Sequence, residues 1–427
     1  MNLRPYPNTK RAKAPWIDKI PCHWEEKPMF AIAQEKQVKN VGMKENNLLS
    51  LSYGNIKRKD INTNEGLLPA SYETYQIIDP GDIVFRLTDL QNDKRSLRTA
   101  ICRERGIITS AYVVVQPDGI DPAFLNYLMR AYDVQKVFYS MGGGMRQSLG
   151  FDDLRRLPVV APSLDEQRTI GRYLNRKIDR IDGLIEKKNR FIALMKEKRV
   201  AVIDNAVTKG LSRDVPMKNS GLDWLGEIPS HWEVAPSIWL FKESKQRALK
   251  EDEQLSATQK YGVIPLSEFE RLEGRQVTKA FLNLEQRKHV EVDDFVISMR
   301  SAEGGLERAK ARGCVRSSYV VLKSTEHVDV DFFTYLFKSL SYIQALRSTS
   351  SFVRDGQDLN FWNFRAVKLP LISLDEQAEI ARFLTLETTR IDSLVNKTER
   401  SIELLKEKRE ALIAAAITGQ IDVRDAA

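Results

Sequence analysis

The sequence has few cysteines, and it lacks any long apolar run. Its three cysteines, Cys22, Cys102 and Cys314, lie far apart without a CxxC spacing. Reduced thiols in the cytoplasm are therefore expected, although one chance pair would also fit. No uninterrupted apolar stretch reaches the roughly 18 residues of a transmembrane helix. The first residues are polar and interrupted by prolines, so no secretory signal is expected.

Motifs of catalytic and metal sites are also scarce. There is no GxxxxGK[ST] phosphate loop, no strand-bound GxGxxG and no HExxH, and the four histidines are scattered. The glycines at 142–144 fit a flexible loop better than a phosphate cradle. Cys22 and His23 resemble a ligand pair, but Ser230 and His231 stand at the equivalent place in the second half, which favours a structural turn. We therefore expect no catalytic residue and no metal site.

The composition is that of a soluble globular chain. The 427 residues are 42% hydrophobic and 29% charged, which suits two or three domains of roughly 100–200 residues each. The 66 basic and 58 acidic residues give a formal charge of +8. This excess favours a polyanionic partner only weakly, because it is spread along the chain.

The chain is a tandem repeat. The block SLDEQ at 163–167 recurs at 373–377, and without a gap residues 163–208 match 373–418 at 24 of 46 positions. A second repeated block, IPxHWE, opens each half at 20–25 and 228–233. The stretches of roughly 130 residues between these blocks barely match. The function should therefore need the same framework twice and different contents twice.

The two matching segments have the pattern of long helices. Ser163 and Ser373 each begin the Ser-x-x-Glu spacing of a capping box, and Gly210 and Gly419 mark the ends. Apolar residues at spacings of three and four, sustained over five heptads, predict a coiled coil. The predicted seam residues are Leu174, Ile178, Ile181, Ile185, Ile192, Met195 and Val202 in the first copy and Leu384, Ile391, Val395, Ile402, Leu405 and Leu412 in the second.

One such helix cannot bury its apolar stripe alone, and the other copy in the same chain is the most economical partner. Two related halves packed about an approximate two-fold axis predict an antiparallel pair. The alternative is two separate helices, each packed on its own domain or on another chain. Arg199 and Arg409 interrupt the seam at equivalent places, where they either fix the register or extend their charged ends to solvent.

The variable stretches have the pattern of mixed α/β domains. Residues 82–87, 107–115, 294–299 and 317–322 are rich in β-branched or aromatic side chains, which predicts strands. Residues 121–132 and 329–339 begin with aspartate and have helical apolar spacing. The predicted fold class is α+β: two mixed α/β domains joined by two long helices that form an antiparallel coiled coil, in a pseudo-two-fold tandem repeat. The boundaries are 1–160, 163–212, 213–370 and 373–421.

Basic and amide side chains near predicted loops are the candidates for binding nucleic acid. Arginine bonds bidentately to guanine and glutamine to adenine, while lysine and arginine neutralise phosphates. A solvated surface charge is the commoner explanation of any single residue, so the prediction concerns the set. Tyr53, Tyr72 and Tyr75 could stack on bases, but core positions are commoner for aromatics. The DNA-binding candidates are Lys57, Arg58, Lys59, Arg86, Lys94, Arg95, Arg98, Arg146 and Gln147 in the first half and Arg300, Arg308, Lys310, Arg312, Arg316, Arg354 and Gln357 in the second.

Together these features resemble the specificity subunit of type I DNA restriction-modification systems. The resemblance rests on the two IPxHWE segments, on the two SLDEQ-initiated helices and on the Gln-x-Leu segments at 147–149 and 357–359. Each of these helices contains an RID block, at 180–182 and 390–392, and a KEKR block, at 196–199 and 406–409. No single motif is specific, but the ordered set occurs twice at a spacing of about 210 residues over essentially the whole chain.

The resemblance implies that each variable stretch is a target recognition domain that reads one half of a bipartite, asymmetric site in double-stranded DNA. The long helices would separate the half-sites and dock two DNA methyltransferase (modification) subunits, which bind S-adenosylmethionine. Two restriction/translocase subunits that use ATP and magnesium can join. The chain itself would be cytoplasmic, bind no cofactor and perform no chemistry.

Two interpretations from other classes stay open. One is a coiled-coil scaffold or adaptor with two protein-binding modules. The other is a fused enzyme, against which the absence of an NPPY-type methyltransferase motif and of a clustered nuclease constellation argues. Within the family, the chain could serve a modification-only or a phage-exclusion system.

Overall fold

The computed structural model describes residues 4–62, 69, 71–90, 97–141, 148–212, 214–277, 284–298, 301–349 and 359–426. The chain divides into two units: Met1–Lys188 with Arg400–Ala427 form the first, and Asn189–Glu399 form the second. The two long helices are Leu164–Lys209 and Leu374–Ile417. Since the division cuts both of them, each unit holds a variable stretch, the beginning of one long helix and the end of the other.

The first unit is built around a four-stranded antiparallel sheet. Its strand order is Ala33–Glu35, Val113–Pro117, Ile83–Phe85 and Thr99–Ile101. The antiparallel pairs beside it are Thr9–Arg11 with Lys19–Pro21, Glu25–Pro28 with Pro158–Ala161, Leu49–Ser52 with Asn55–Arg58, and Gln76–Ile78 with Gly106–Ile108. The shorter helices are Pro122–Val134 and Phe151–Leu154, with 3-10 turns at Met29–Ala31, Tyr72–Thr74, Phe138–Ser140 and Arg424–Ala426.

The second unit repeats this plan. Its four-stranded antiparallel sheet has the order Phe241–Ser244, Val320–Ser324, Phe295–Ile297 and Glu307–Arg308. The corresponding antiparallel pairs are Met217–Asn219 with Glu227–Pro229, Glu233–Ala235 with Leu369–Leu371, Leu255–Thr258 with Gly262–Pro265, and Lys288–Val290 with Gly313–Val315. The shorter helices are Ser237–Leu240, Leu266–Glu273, Ser301–Gly304, Val330–Leu336, Leu340–Ser348 and Phe361–Ala366, with a 3-10 turn at Leu284–Gln286. The repeat therefore extends into the stretches whose sequences barely match.

The mixed α/β character predicted for the variable stretches is confirmed. The strands Ile83–Phe85 and Phe295–Ile297 lie within the predicted 82–87 and 294–299, while Val320–Ser324 overlaps the predicted 317–322 and ends two residues later. Helices begin after Asp121 and Asp329, whose side chains accept hydrogen bonds from the helix N-termini. The single strand predicted over 107–115 is wrong in one respect. The backbone makes a turn there, with Tyr112 N–H donating to Thr109 O, and the run becomes two strands in two different sheets.

Within each unit, segments of both long helices pack together and run in opposite directions. In the first unit, Leu174 and Ile178 share a core with Ile413 and Ile417, while Asp182, farther along the first helix, meets Arg409, which precedes Ile413. In the second unit, Ile380 and Leu384 share a core with Ile203 and Val207, and Asp392 meets Arg199. The alternative of helices that pack only on their own domains is therefore wrong.

All three cysteines are free thiols, and Cys102 and Cys314 are buried. Among the residues that the structure describes, no helix combines the length and the apolar character that a membrane span needs.

Candidate nucleic-acid interface

The repeated IPxHWE block fixes the start of the long helix in the first unit. Glu166 is 7% exposed, and one of its carboxylate oxygens accepts hydrogen bonds from Tyr6 Oη at 2.8 Å and Trp24 Nε1 at 3.2 Å. The other oxygen lies 2.9 Å from His23 Nε2. The Trp24 ring is wholly buried. We call this arrangement the glutamate clamp.

The second unit contains the same clamp. Trp232 Nε1 donates to Glu376 Oε1 at 2.9 Å, and His231 Nε2 lies 2.9 Å from Glu376 Oε2. This clamp is more open, because Glu376 keeps 26% of its side-chain exposure and is contacted by no equivalent of Tyr6 among the described residues. Both histidines are therefore parts of a structural turn, as the sequence indicated, and no cluster of metal ligands occurs among the described residues.

The capping box predicted for the long helices is only half formed. Ser163 and Ser373 do accept hydrogen bonds from the backbone N–H groups of Glu166 and Glu376, each at 3.4 Å. The glutamate side chains do not return to the serine backbone. They are committed instead to the clamp, whose partners lie more than 140 residues away in sequence.

The glutamine of each SLDEQ block joins the long helix to its own variable stretch. Gln167 Nε2 donates to Pro162 O at 2.8 Å, and Gln167 Oε1 accepts from Asp121 N–H at 2.7 Å. Gln377 makes the equivalent bonds to Ile372 O and from Asp329 N–H, at 2.9 and 2.8 Å. Because Asp121 and Asp329 cap the helices Pro122–Val134 and Val330–Leu336, the glutamine fixes the variable stretch relative to the helix that follows it.

In each unit, the end of one long helix packs on the tryptophan that clamps the start of the other long helix. Gly419, with φ of +70°, lies against Trp24 in the first unit, and Gly210, with φ of +71°, lies against Trp232 in the second. A Cβ on Gly419 would come within 2.3 Å of Pro21. These glycines end the helices as predicted, and they also permit the close approach to the clamp.

The predicted seam residues are buried or half-buried throughout, from Leu174 to Val202 and from Leu384 to Leu412. The sequence pattern missed a second buried set near the helix ends: Ile203, Val207, Ile413 and Ile417. There the helices also pack on the domain cores, so they are buried on more than one face.

In both units a neighbouring strand donates an equivalent backbone hydrogen bond to the residue two positions before a β-hairpin. Ile107 N–H donates to Asn47 O at 2.9 Å in the first unit, and Cys314 N–H donates to Glu253 O at 2.8 Å in the second. A Cβ on the preceding residue, Gly106 or Gly313, would lie 2.5 or 2.3 Å from that same carbonyl oxygen. The hairpin strands are Leu49–Ser52 with Asn55–Arg58 and Leu255–Thr258 with Gly262–Pro265.

Three of the first half's predicted DNA-binding residues lie together on this hairpin. Lys57 and Arg58 are exposed on its second strand, and Lys59 follows, also exposed. Arg58 Nε donates to Glu104 Oε2 at 2.7 Å, so part of its charge is compensated. Arg86 is half-buried at the end of the strand Ile83–Phe85. Lys94, Arg95, Arg146 and Gln147 lie outside the described residues.

Arg98 is not available as a DNA contact. Its side chain is wholly buried, and its guanidinium donates to Thr88 O at 3.0 Å and to Tyr139 Oη at 3.3 Å. The backbone N–H of Arg98 donates to Asp133, and burial raises the pKa of that carboxyl to about 6. The guanidinium thus satisfies loop carbonyls inside the protein, which corrects the prediction for this residue.

The second unit's predicted residues differ in how far they are neutralised. Arg308 is bound by Asp293 at 2.7 Å and by Asp331, and Arg312 lies 3.4 Å from Glu251. Lys310 and Arg316 are exposed, and neither forms an ion pair with a side chain that the structure describes. Arg300, Arg354 and Gln357 lie outside the described residues.

A cysteine and a histidine face each other across two strands of the second unit, but they lack the character of a nucleophile and base. Both nitrogens of His289 are occupied, by Asp252 at 2.7 Å and Glu291 at 2.8 Å. Burial raises the pKa of the neighbouring Cys314 thiol, which disfavours the thiolate. This cluster is a buried ion-pair network.

A curated protein resembles this chain in sequence. No family model matches the chain. The putative type I restriction enzyme MjaX specificity subunit of Methanocaldococcus jannaschii is 25% identical over 310 residues, which cover 71% of this chain and 69% of that protein.

Two solved structures share the fold. One, from a study of the structural basis underlying complex assembly and conformational transition of the type I R-M system, has a TM-score of 0.67 at 14% identity and covers 94% of this chain and 99% of its own. The other is the HsdS subunit from Thermoanaerobacter tengcongensis, with a TM-score of 0.54 at 14% identity, over 94% of this chain and 98% of that one. The resemblance inferred from the repeated motifs is thereby confirmed: this chain is a relative, in sequence and in fold, of the specificity subunits of type I restriction-modification systems.

Proposed function

We propose that this chain is the sequence-specific DNA-recognition subunit of a type I restriction-modification complex. The segments 1–160 and 213–370 act as target recognition domains, and each reads one half of a bipartite, asymmetric DNA site. The long helices set the separation of the half-sites and dock two methyltransferase subunits. The chain performs no chemistry of its own.

The duplicated glutamate clamp carries this proposal. The same histidine, tryptophan and glutamate fix the helix start in both units, although the variable stretches around them differ in sequence. Holding two dissimilar domains by one repeated framework is the arrangement that an asymmetric, two-part site requires. A palindromic site would need only one domain sequence, used twice by symmetry.

The partners follow from this role. Double-stranded DNA is the ligand of the two domains, and two methyltransferase subunits supply adenine methylation with S-adenosylmethionine. Two restriction/translocase subunits that use ATP and magnesium join where the system also cleaves DNA. All cofactors are then held by the partner subunits, and the assembly works in the cytoplasm.

Genome-wide mapping of methylated adenine tests the proposal directly. Cells with the intact gene should carry a bipartite methylated motif, and cells in which the gene is deleted should lose it. The motif should return when the gene is restored on a plasmid. A methylation pattern that is identical with and without the gene would overturn the proposal and favour a protein-binding scaffold.

A further inference from the structure

A concave pocket with a volume of about 940 Å³ lies beside the hairpin of the second unit. Its walls are the hairpin with its tip at 259–261, the helix Leu266–Glu273 with the residues that follow it, and the side chains of Arg316 and Tyr319. We call it the hairpin surface. It belongs wholly to the second unit.

The groups on the hairpin surface are those that recognise base edges. Gln259, Arg275 and Arg316 are all exposed. Glutamine bonds bidentately to adenine and arginine to guanine, and each such pair discriminates strongly against the wrong base. The amide of Gln259 packs over Gly304, where a Cβ would come within 2.5 Å of Gln259 Nε2. A side chain at position 304 would therefore displace the amide.

Aromatic rings stand beside these polar groups and hold some of the cations. The Lys260 ammonium lies 4.7 Å from the centre of the Tyr261 ring, and the Arg275 guanidinium lies 6.0 Å from the centre of the Phe269 ring. The Tyr261 hydroxyl donates to Glu273 at 3.1 Å, which fixes the ring and engages one of the two carboxylates on this surface. Bases and guanidinium groups both stack on such rings.

The charge of the surface also suits a polyanion. The lining contains three cationic side chains, Lys260, Arg275 and Arg316, and two carboxylates, those of Glu273 and Glu303. Lys310 adds a further cation beside the hairpin, since its Cε would lie 3.6 Å from a Cβ on Gly262. Arg308, by contrast, is already held by two aspartates.

The position of the hairpin surface within the repeat supports a role in recognising a sequence. Both units attach their hairpin by the same backbone bond, yet the tips differ: Tyr53 and Gly54 in the first, Gln259, Lys260 and Tyr261 in the second. The framework is thus constant where the hairpin is anchored and variable where it ends. That division is the one that a pair of readers for different sequences needs.

We infer that the hairpin surface is where the second unit reads the bases of its half-site, with Gln259, Arg275 and Arg316 as its specificity-determining residues. The inference rests on the proposed function and extends it from a role to named contacts. Only Arg316 among the three was a candidate from sequence.

The test maps methylated adenines in cells that carry the native methyltransferase subunit and one version of this chain. The variants are Gln259→Ala, Arg275→Gln and Arg316→Gln. Arg271→Gln is the matched control, because Arg271 is an exposed arginine on the helix Leu266–Glu273 that does not line the surface. We expect discrimination to fall about ten-fold or more at one base position per variant, all within the same half of the motif.

Each outcome decides the inference. A relaxed or altered base in one half, with the other half and the Arg271→Gln motif unchanged, supports it. An unaltered motif in all three variants overturns it, while the bipartite wild-type motif leaves the proposed function intact. If a variant abolishes methylation, the purified complex is tested on duplexes substituted in one half or the other: loss of discrimination confined to one half supports the inference, and equal loss in both halves overturns it.

Discussion

Arg409 donates a hydrogen bond to Asp182 across 2.8 Å, and its repeat counterpart Arg199 donates to Asp392 across 3.1 Å. Each contact joins the KEKR block of one long helix to the RID block of the other within a single unit. Two motifs that look independent in the sequence are therefore the two sides of one contact. This contact provides a physical reason why both blocks occur twice.

The two contacts should differ in strength. Arg409 keeps 22% of its exposure and also meets Glu410 at 3.1 Å, whereas Arg199 is 39% exposed. Double-mutant cycles with Arg409→Ala and Asp182→Ala should give a coupling energy of about 1 kcal/mol, and those with Arg199→Ala and Asp392→Ala only a few tenths. Urea unfolding of the four variants and two double variants measures both. Equal coupling energies would contradict the role assigned to burial.

The glutamate clamp makes a prediction about local stability. Replacing Glu166 by alanine leaves the buried Tyr6 hydroxyl and Trp24 N–H without an acceptor, so the first unit should lose about 2–3 kcal/mol. Glu376→Ala should cost less, because its carboxylate is more exposed and has fewer partners. The measurement is thermal or urea unfolding monitored by tryptophan fluorescence.

Asp165→Ala is the control for the clamp, since this carboxylate is 97% exposed. It should change stability by less than about 0.5 kcal/mol. If Glu166→Ala were as mild as Asp165→Ala, the clamp would contribute nothing to stability.

The elements that could be predicted from sequence are those with a local signal. The three- and four-residue spacing around Leu174 and Leu384 predicts a buried stripe, and Asp121 predicts the start of a helix. The repeat itself predicts that the two units share a plan. Periodicity cannot show that Glu166 leaves its capping box for Trp24, because that choice depends on groups brought close by the fold.

The candidate site was less accessible to sequence reasoning for the same reason. Arg98 and Arg316 both look like loop cations, yet one is wholly buried under loop carbonyls and the other is exposed. Gln259 and Arg275 give no signal at all until the hairpin and the helix after it form a common surface. The burial and the neighbours of these side chains decide their roles, and neither can be predicted from a single stretch of sequence.

The anchoring of the hairpins requires glycine at positions 106 and 313, where a side chain would clash with a backbone carbonyl. In Gly313→Ala the new Cβ would lie 2.3 Å from Glu253 O, so the second unit should lose about 1–3 kcal/mol. Gly106→Ala should act similarly in the first unit, where Asn47 O is 2.5 Å away. Gly183→Ala is the control. A Cβ added there, inside the long helix, would have nothing within 4 Å, so stability should rise by about 0.5–1 kcal/mol. A destabilised control with unaffected hairpin variants would reverse this interpretation.

The buried His289 gives stability a dependence on pH. Burial lowers its pKa, but hydrogen bonds to Asp252 and Glu291 outweigh that effect and raise the pKa above the ordinary value. The folded state therefore holds this proton more tightly than the unfolded chain does. The resulting stabilisation is fully present below about pH 6.5, the unfolded pKa, and is lost as the pH rises through the folded value.

His289→Gln should remove this dependence. Unfolding measured from pH 5 to pH 9 should show the wild type losing stability relative to the variant as the pH rises. His327→Gln serves as the control, because His327 is 63% exposed. This substitution should leave the dependence of stability on pH the same as in the wild type. A constant difference between the wild type and His289→Gln over the whole range would show that the ion pairs with Asp252 and Glu291 do not depend on the protonation of His289.

The spacer role proposed for the long helices makes a prediction about the length of the DNA site. One heptad added to each helix, after Lys188 and after Glu399, lengthens both by about 10 Å, which is about three base pairs of duplex. The gap between the two halves of the methylated motif should grow accordingly, while both halves keep their sequence. A heptad in one helix alone mismatches the two seams and should abolish or weaken methylation. If the double insertion left an active complex with the original gap, the helices would not set the distance between the half-sites.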